Sequence, residues 1–204
     1  MAEADRVDNC RKACIAAGVN VITSLEGGSA EAIFCKEWYE LIVNAEISLY
    51  YWRFATRTQN IKNNLLADVP EDRFSAAYQA PNDVVAVDTV MIGGTPIEYE
   101  RIGNRIHCDA ATTDDVIIKY RYRADESVWL PYFRLLVVYR LATMLSFSIA
   151  RKDDIAASMK ELADQHWRLS KTQDAQGQTN QKVNLSKLKR VRQGGRLSRD
   201  WRNR

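Results

Sequence analysis

SAEAIFCKEWYELIVNAEISLYYWRFA, residues 29–55, is the longest stretch of this chain that carries a helical pattern without a Gly or Pro. Phe34, Trp38, Leu41, Ile42, Ala45, Leu49 and Trp52 recur at helical spacing, which draws an apolar stripe along one face. Ser29 fits an N-cap, Glu31 sits where the helix dipole favours an acid, and Gly27-Gly28 supplies the preceding turn. The pattern predicts one helix to Ala55. A helix of about 27 residues is about 40 Å long at 1.5 Å per residue, more than a small domain needs to cross its own core. Part of its surface is therefore expected to meet something else.

Working outward, residues 5–17 read as a short helix with Val7, Cys10, Cys14 and Ala17 on one face, ended by Gly18-Val19-Asn20. After Thr56 the pattern changes to strands and turns. Ile61–Val69 reads as loop with one short strand. Val84–Ile92, Pro96–Ile102, Arg105–Cys108 and Val116–Arg123 read as strands, with turns at Gly93-Gly94 and Gly103-Asn104. In the last strand Ile118, Tyr120 and Tyr122 alternate with Lys119, Arg121 and Arg123, which predicts one buried face and one wet, basic face. Together these make a small antiparallel meander inserted between helices.

Pro131 opens a third helix that is apolar nearly all round, the pattern of a central bundle helix. Its most apolar part, Leu135–Ala150, is shorter than the roughly 20 residues of a membrane span and holds Arg140. Asp153-Asp154 opens a fourth helix, with Ile155, Met159, Leu162, His166 and Leu169 as a narrow stripe, fraying near Asp174. The expected fold is α+β: a four-helix bundle from residues 1–56 and 129–175, a β subdomain at 57–128, and a linker with a C-terminal arm at 176–204.

Hydrophobic residues make up 46% of the 204 and charged residues 27%, the balance of a globular protein rather than a disordered or fibrous one. The net charge of +3 hides an asymmetry. Residues 182–204 hold nine basic residues and one acid, which leaves −5 for residues 1–181. The arm alternates its cations with Leu185, Leu188, Val191, Leu197 and Trp201. Two readings stay open for it: neutralising the phosphates of a nucleic acid, or docking on an acidic protein surface through apolar anchors. The anchors favour docking.

Four cysteines lack the spacing of a disulfide framework, and the acidic start Met1–Asp5 has no apolar run of a signal peptide, so folding in a reducing cytoplasm is expected. Cys10 and Cys14 with His107 and Cys108 form a conceivable zinc set, against the plainer reading of small buried hydrophobes. His107 and Cys108 are adjacent in a strand and so face opposite ways. No nucleophile elbow, phosphate-cradling loop or paired-carboxylate motif is present. The sequence predicts no catalytic residue, metal or cofactor. The aromatics Tyr50, Trp52 and Phe54 read as a junction packed against the β insertion rather than a base-stacking platform.

Three places give the chain a family resemblance. They are Val21–Glu26 leading from the first helix into the long one, Trp52-Arg53-Phe54-Ala55 at its end, and Tyr78-Gln79-Ala80-Pro81-Asn82-Asp83 before a strand. In their order and spacing, over about residues 8–175, the chain resembles the tail tubular protein A family, the head-to-tail adaptors of short-tailed phages. The resemblance implies a non-enzymatic virion protein, assembled in the host cytoplasm. Twelve copies would form a ring at the portal vertex between portal protein and tail nozzle protein, with tail fibres as a further partner. Genomic DNA would pass through the ring without sequence-specific binding, and no membrane is involved. It further implies that the arm docks the portal through Leu185, Leu188, Lys189, Arg190, Arg192, Arg196, Leu197, Arg199 and Trp201. The outer side of the long helix, with Tyr39, would then face a neighbouring subunit. A nucleic-acid-binding protein working through the basic arm is the alternative.

Overall fold

The computed structural model describes residues 2–68, 70 and 72–176. Residues 1–174 form one compact unit. The arm residues Leu185 to Trp201 lie outside the described residues.

Helix α1 (Ala2–Ala17) begins earlier than its pattern predicts and ends as predicted. Gly18 takes a left-handed φ of 67°, its N–H donates to the Ile15 carbonyl and that of Val19 to the Cys14 carbonyl, the paired bonds of a Schellman motif. Helix α2 (Ala30–Leu49) is capped by Ser29, whose hydroxyl accepts from the Ala32 N–H at 3.2 Å. It stops six residues short of the predicted end, so it is about 30 Å long rather than 40. Tyr50 is extended (φ −144°, ψ 153°). The reason is visible in the last turn, whose carbonyls have no intrahelical donor. The Trp52 indole N–H donates to the Glu46 carbonyl at 2.8 Å, and the Arg121 guanidinium donates to those of Ile47 and Ser48. Side chains from outside the helix close it, and a cation at the negative end of the dipole adds to the closure.

The face α2 buries also differs from prediction. Ala32, Cys35, Tyr39, Val43 and Ile47 point into the core, while Trp38, Leu41, Ala45 and Leu49 of the expected stripe are exposed, and Phe34 and Ile42 are half-buried. Cys35 meets Cys10 and Cys14 of α1, and Tyr39 meets Asn9, so this side of α2 shares one core with α1.

Helix α3 (Pro131–Leu145) starts at Pro131 as predicted and buries Phe133, Leu136, Val137, Val138, Leu141, Ala142 and Leu145. It runs on into a π turn, Ser146–Ala150. The whole run Pro131–Ala150 is 20 residues, long and apolar enough to cross a membrane by length and composition, which corrects the shorter span read from sequence. In the fold its apolar side is packed against the other helices. Arg151 is left-handed (φ 50°), and helix α4 (Asp153–Gln176) follows, with Asp153 and Asp154 in its first turn as predicted. Its buried positions are Ala156, Ala163, Ser170 and Asp174, shifted from the predicted stripe; Leu169 is exposed. Asp5 lies near Arg134 and Gly18 near Lys152, so α1 and α3 run parallel. Arg140 meets Asp164 and Tyr132 meets Asp174, so α4 returns antiparallel to α3.

Between the helices lie two small antiparallel sheets rather than one meander. The strands are β1 (Thr56–Asn60), β2 (Ala76–Gln79), β3 (Val84–Ile92), β4 (Thr95–Ile97), β5 (Tyr99–Ile102), β6 (Arg105–Cys108) and β7 (Val116–Tyr122). One sheet has the order β1-β7-β3-β4 and the other β2-β6-β5. The predicted strand Pro96–Ile102 is therefore split at Glu98 between two sheets. Gly93 and Gly94, at φ 58° and 81°, make the two-residue hairpin between β3 and β4. Val90, Val116, Ile118 and Tyr120 share a second core with Ile61, Tyr78 and Ile106, separate from the helical one.

The second face of β7 is not the wet basic surface expected of it. Arg121 reaches the end of α2 and pairs with Asp88 at 3.0 Å, and Lys119 sits over the Tyr51 ring at 4.8 Å. Arg123 binds Glu40 at 2.8 Å and Glu126, and Arg6 of α1 also reaches Glu40. This face joins the sheets to the helices.

Candidate interaction surface

The junction between sheets and helices is built on Trp52. Its ring is fully buried, edge-on to Phe133 (5.1 Å) and Tyr50 (4.9 Å) and tilted against Phe54 and Tyr132. Phe54 is half-buried against Phe133, and its carbonyl accepts from the Tyr122 hydroxyl of β7 at 3.4 Å. Tyr50 is half-buried beside α4, where its hydroxyl donates to the Lys171 carbonyl at 3.5 Å. Tyr132 donates to Asp174 at 2.7 Å close by, and burial together with that bond pushes the Tyr132 hydroxyl well above the usual phenol range.

Tyr39, placed by the resemblance on an outer seam, is 1% exposed. Its hydroxyl accepts from the Asn9 side chain at 3.0 Å, its ring stacks on Trp129, and burial pushes its hydroxyl far up. It is a core residue, so a neighbouring subunit does not reach it. The error follows from the choice of face: Tyr39 is on the α1 side of α2.

The surface that α2 does present is the stripe Phe34, Trp38, Leu41, Ala45 and Leu49, with Leu41 59% exposed and the Phe34 and Trp38 rings stacked at 5.8 Å. Beside it, Ile42, Ala45, Glu46, Arg140, Thr143, Met144 and Lys160 line a groove of about 400 Å³. Glu46 is 5% exposed. Its Oε1 accepts from Arg140 Nε at 2.7 Å, and Arg140 reaches on to Asp164 at 2.9 Å. Its Oε2 has no partner. Burial pushes the Glu46 carboxyl above the usual range, against the pull of Arg140. Just beyond Met144, Phe147 stands 67% exposed.

No protein-family model matches the chain, and no curated protein matches it. The surface therefore stands on its geometry alone. The zinc set does not assemble. Cys10, Cys14 and Cys35 are buried together in the helical core, His107 and Cys108 lie in the second sheet, and no metal-binding group of three or more His, Cys, Asp or Glu occurs among the described residues. Hydrogen bonding to Cys10 and burial push the Cys35 thiol up to about 12, and burial pushes Cys108 to about 11, so both are poor nucleophiles. His107 Nδ1 lies 2.5 Å from Asp72, and this contact holds the Asp72 carboxyl below its usual range. That pair ties Asp72 to β6. His166 is half-buried, its ring 5.0 Å from that of Tyr139.

Sequence reasoning named the exposed residues of α2 but put them inside. It gave no role to Glu46 or Met144, and it counted Phe147 among the apolar residues of a central helix, where the structure leaves that side chain exposed. The available signal was the surplus of apolar residues: α2 has enough for two faces, and an amphipathic helix of a monomer needs one.

Proposed function

We propose that this protein is a head-to-tail adaptor of a short-tailed phage. Copies form a ring between the portal and the tail nozzle, genomic DNA passes through it, and the basic arm of residues 185–204 docks the portal. In this reading the four helices act as one bundle that carries the two sheets as an insertion. The observation that carries it is the second apolar face of α2. An exposed stripe of large apolar side chains is a surface awaiting a partner, and in a ring every copy presents that surface to its neighbour. The likeness of the Val21–Glu26, Trp52–Ala55 and Tyr78–Asp83 segments to the adaptor family supports the same reading.

The test is to mix the full-length protein, and a form lacking residues 185–204, with portal particles of the same phage. Bound copies are then counted by native mass spectrometry. The reading expects a ring on the portal with the full chain and a folded monomer that no longer binds without the arm. Unchanged binding without residues 185–204 refutes the role of the arm. No binding by either form refutes the adaptor. The arm's charge favours one other reading, a nucleic-acid-binding protein. It would show as tight, sequence-independent duplex binding that falls steeply with salt and is lost with the arm.

A further inference from the structure

Three of the four cysteines converge in the helical core. Cys10, Cys14 and Cys35 are fully buried and share one cluster. Cys10 and Cys14 stand four apart on α1, and Cys35 meets them from α2, hydrogen-bonded to Cys14 and to Cys10. Cys35 is thus the hub, in contact with both other thiols across the two helices. Cys108 is buried apart from them, in the second core.

Helix geometry decides which pairs can close. Residues four apart on a helix hold their Cβ atoms about 5–6 Å apart with parallel Cα–Cβ bonds, whereas a disulfide holds them at about 3.8 Å. Cys10 and Cys14 therefore do not suit one another. A cysteine that meets them from a second helix is free of that spacing, and Cys35 is so placed.

We propose that Cys35 forms a reversible disulfide with Cys10 or Cys14, a staple between α1 and α2 that stays open where thiols are kept reduced and closes in an oxidising medium. The proposal is independent of the ring reading. The oxidant is a small disulfide such as oxidised glutathione. In the closed core Cys14 and Cys35 stay protonated, so the first step belongs to an opened α1, the N-terminal helix. There the α1 thiol loses its proton, its sulfur attacks one sulfur of the oxidant, and one glutathione thiolate leaves. With α1 packed again, Cys35 gives up its proton and attacks the α1 sulfur, which forms the protein disulfide and releases the second glutathione. Two protein thiols are oxidised, and one small disulfide is reduced to two thiols.

The test exposes the full-length chain to oxidised glutathione, both folded and during refolding, then blocks the free thiols and maps the peptides by mass spectrometry. Two of the four thiols should be lost to a cross-linked pair that contains Cys35, with Cys108 still free. The bond closes a loop of about 20–25 residues and should raise the thermal midpoint by about 5–10 °C, and a reductant should reverse both changes. Cys35→Ala should keep its remaining thiols through the same treatment, whereas Cys10→Ala and Cys14→Ala should each still close one bond. Four free thiols in the wild type after both treatments overturn the proposal, and so does a bond between Cys10 and Cys14. A bond through Cys35 that leaves the midpoint unchanged overturns the staple.

Discussion

Trp52 decides between two structures for the same stretch of sequence. Were residues 29–55 one continuous helix, Trp52 would follow Ala45 and Leu49 along the outer stripe and stand in water. In the fold described, the chain turns at Tyr50 and Trp52 is fully buried. Trp52→Ala should then cost about 3–5 kcal/mol for the lost packing of a large aromatic. Loss of the 2.8 Å bond to the Glu46 carbonyl adds about 1 kcal/mol. Trp52→Phe keeps most of the ring packing against Phe133 and Tyr132 and loses the N–H, so about 1–2 kcal/mol is expected. Against a typical total of 5–15 kcal/mol, the alanine variant removes a large share. Urea unfolding followed by far-UV circular dichroism measures both, with Leu41→Ala as the exposed control. If Trp52→Ala stays within about 0.5 kcal/mol of wild type, as an exposed site would, then Trp52 is not in the core and the helix does not end at Leu49.

Three further predictions follow from the same contacts. Arg121→Met should destabilise by about 3 kcal/mol, since it strips two helix-end carbonyls and leaves Asp88 half-buried and unpaired; Asp88→Asn in the same chain should recover part of that loss in a double-mutant cycle. Arg151→Gly should raise the unfolding free energy by up to about 1 kcal/mol by relieving the left-handed backbone, and a loss instead would show the strain to be absent. Burial raises the Glu40 carboxyl, but the bonds to Arg123 and Arg6 outweigh it and its net shift is downward. The stability it contributes is therefore present above the unfolded carboxylate pKa and is lost as pH falls through the lower folded value. The gap between wild type and Glu40→Gln should be widest near neutral pH and close below about pH 4, and a gap constant with pH would contradict the pairing.

Signals that act within a few residues were readable in the sequence. Ser29, Gly18, Pro131 and the Gly93-Gly94 hairpin each fix their own backbone, and they sit in the structure as read. The apolar, β-branched run Val84–Ile92 is likewise a strand with the bounds it announces. What escaped depended on distant partners. Strand β1, Thr-Arg-Thr-Gln-Asn, is a polar edge strand with almost no buried position and hence no periodicity to read. Strand β2 begins Ala-Ala, poor strand formers, and exists through its pairing with β6. The break at Glu98 shows only once each half has found a different sheet.

The end and the facing of α2 escaped for one common reason. Burial is non-directional, so a helix apolar on two sides does not say which side is the core. Partners decide it. The first and third helices pack on the side with Ala32, Cys35, Tyr39, Val43 and Ile47, and Phe34, Trp38 and Leu41 are left toward the outside. The consequence is an isolated chain with the row Trp38, Leu41 and Leu49 of α2 turned to water, and in the ring reading that row is where one copy would meet the next.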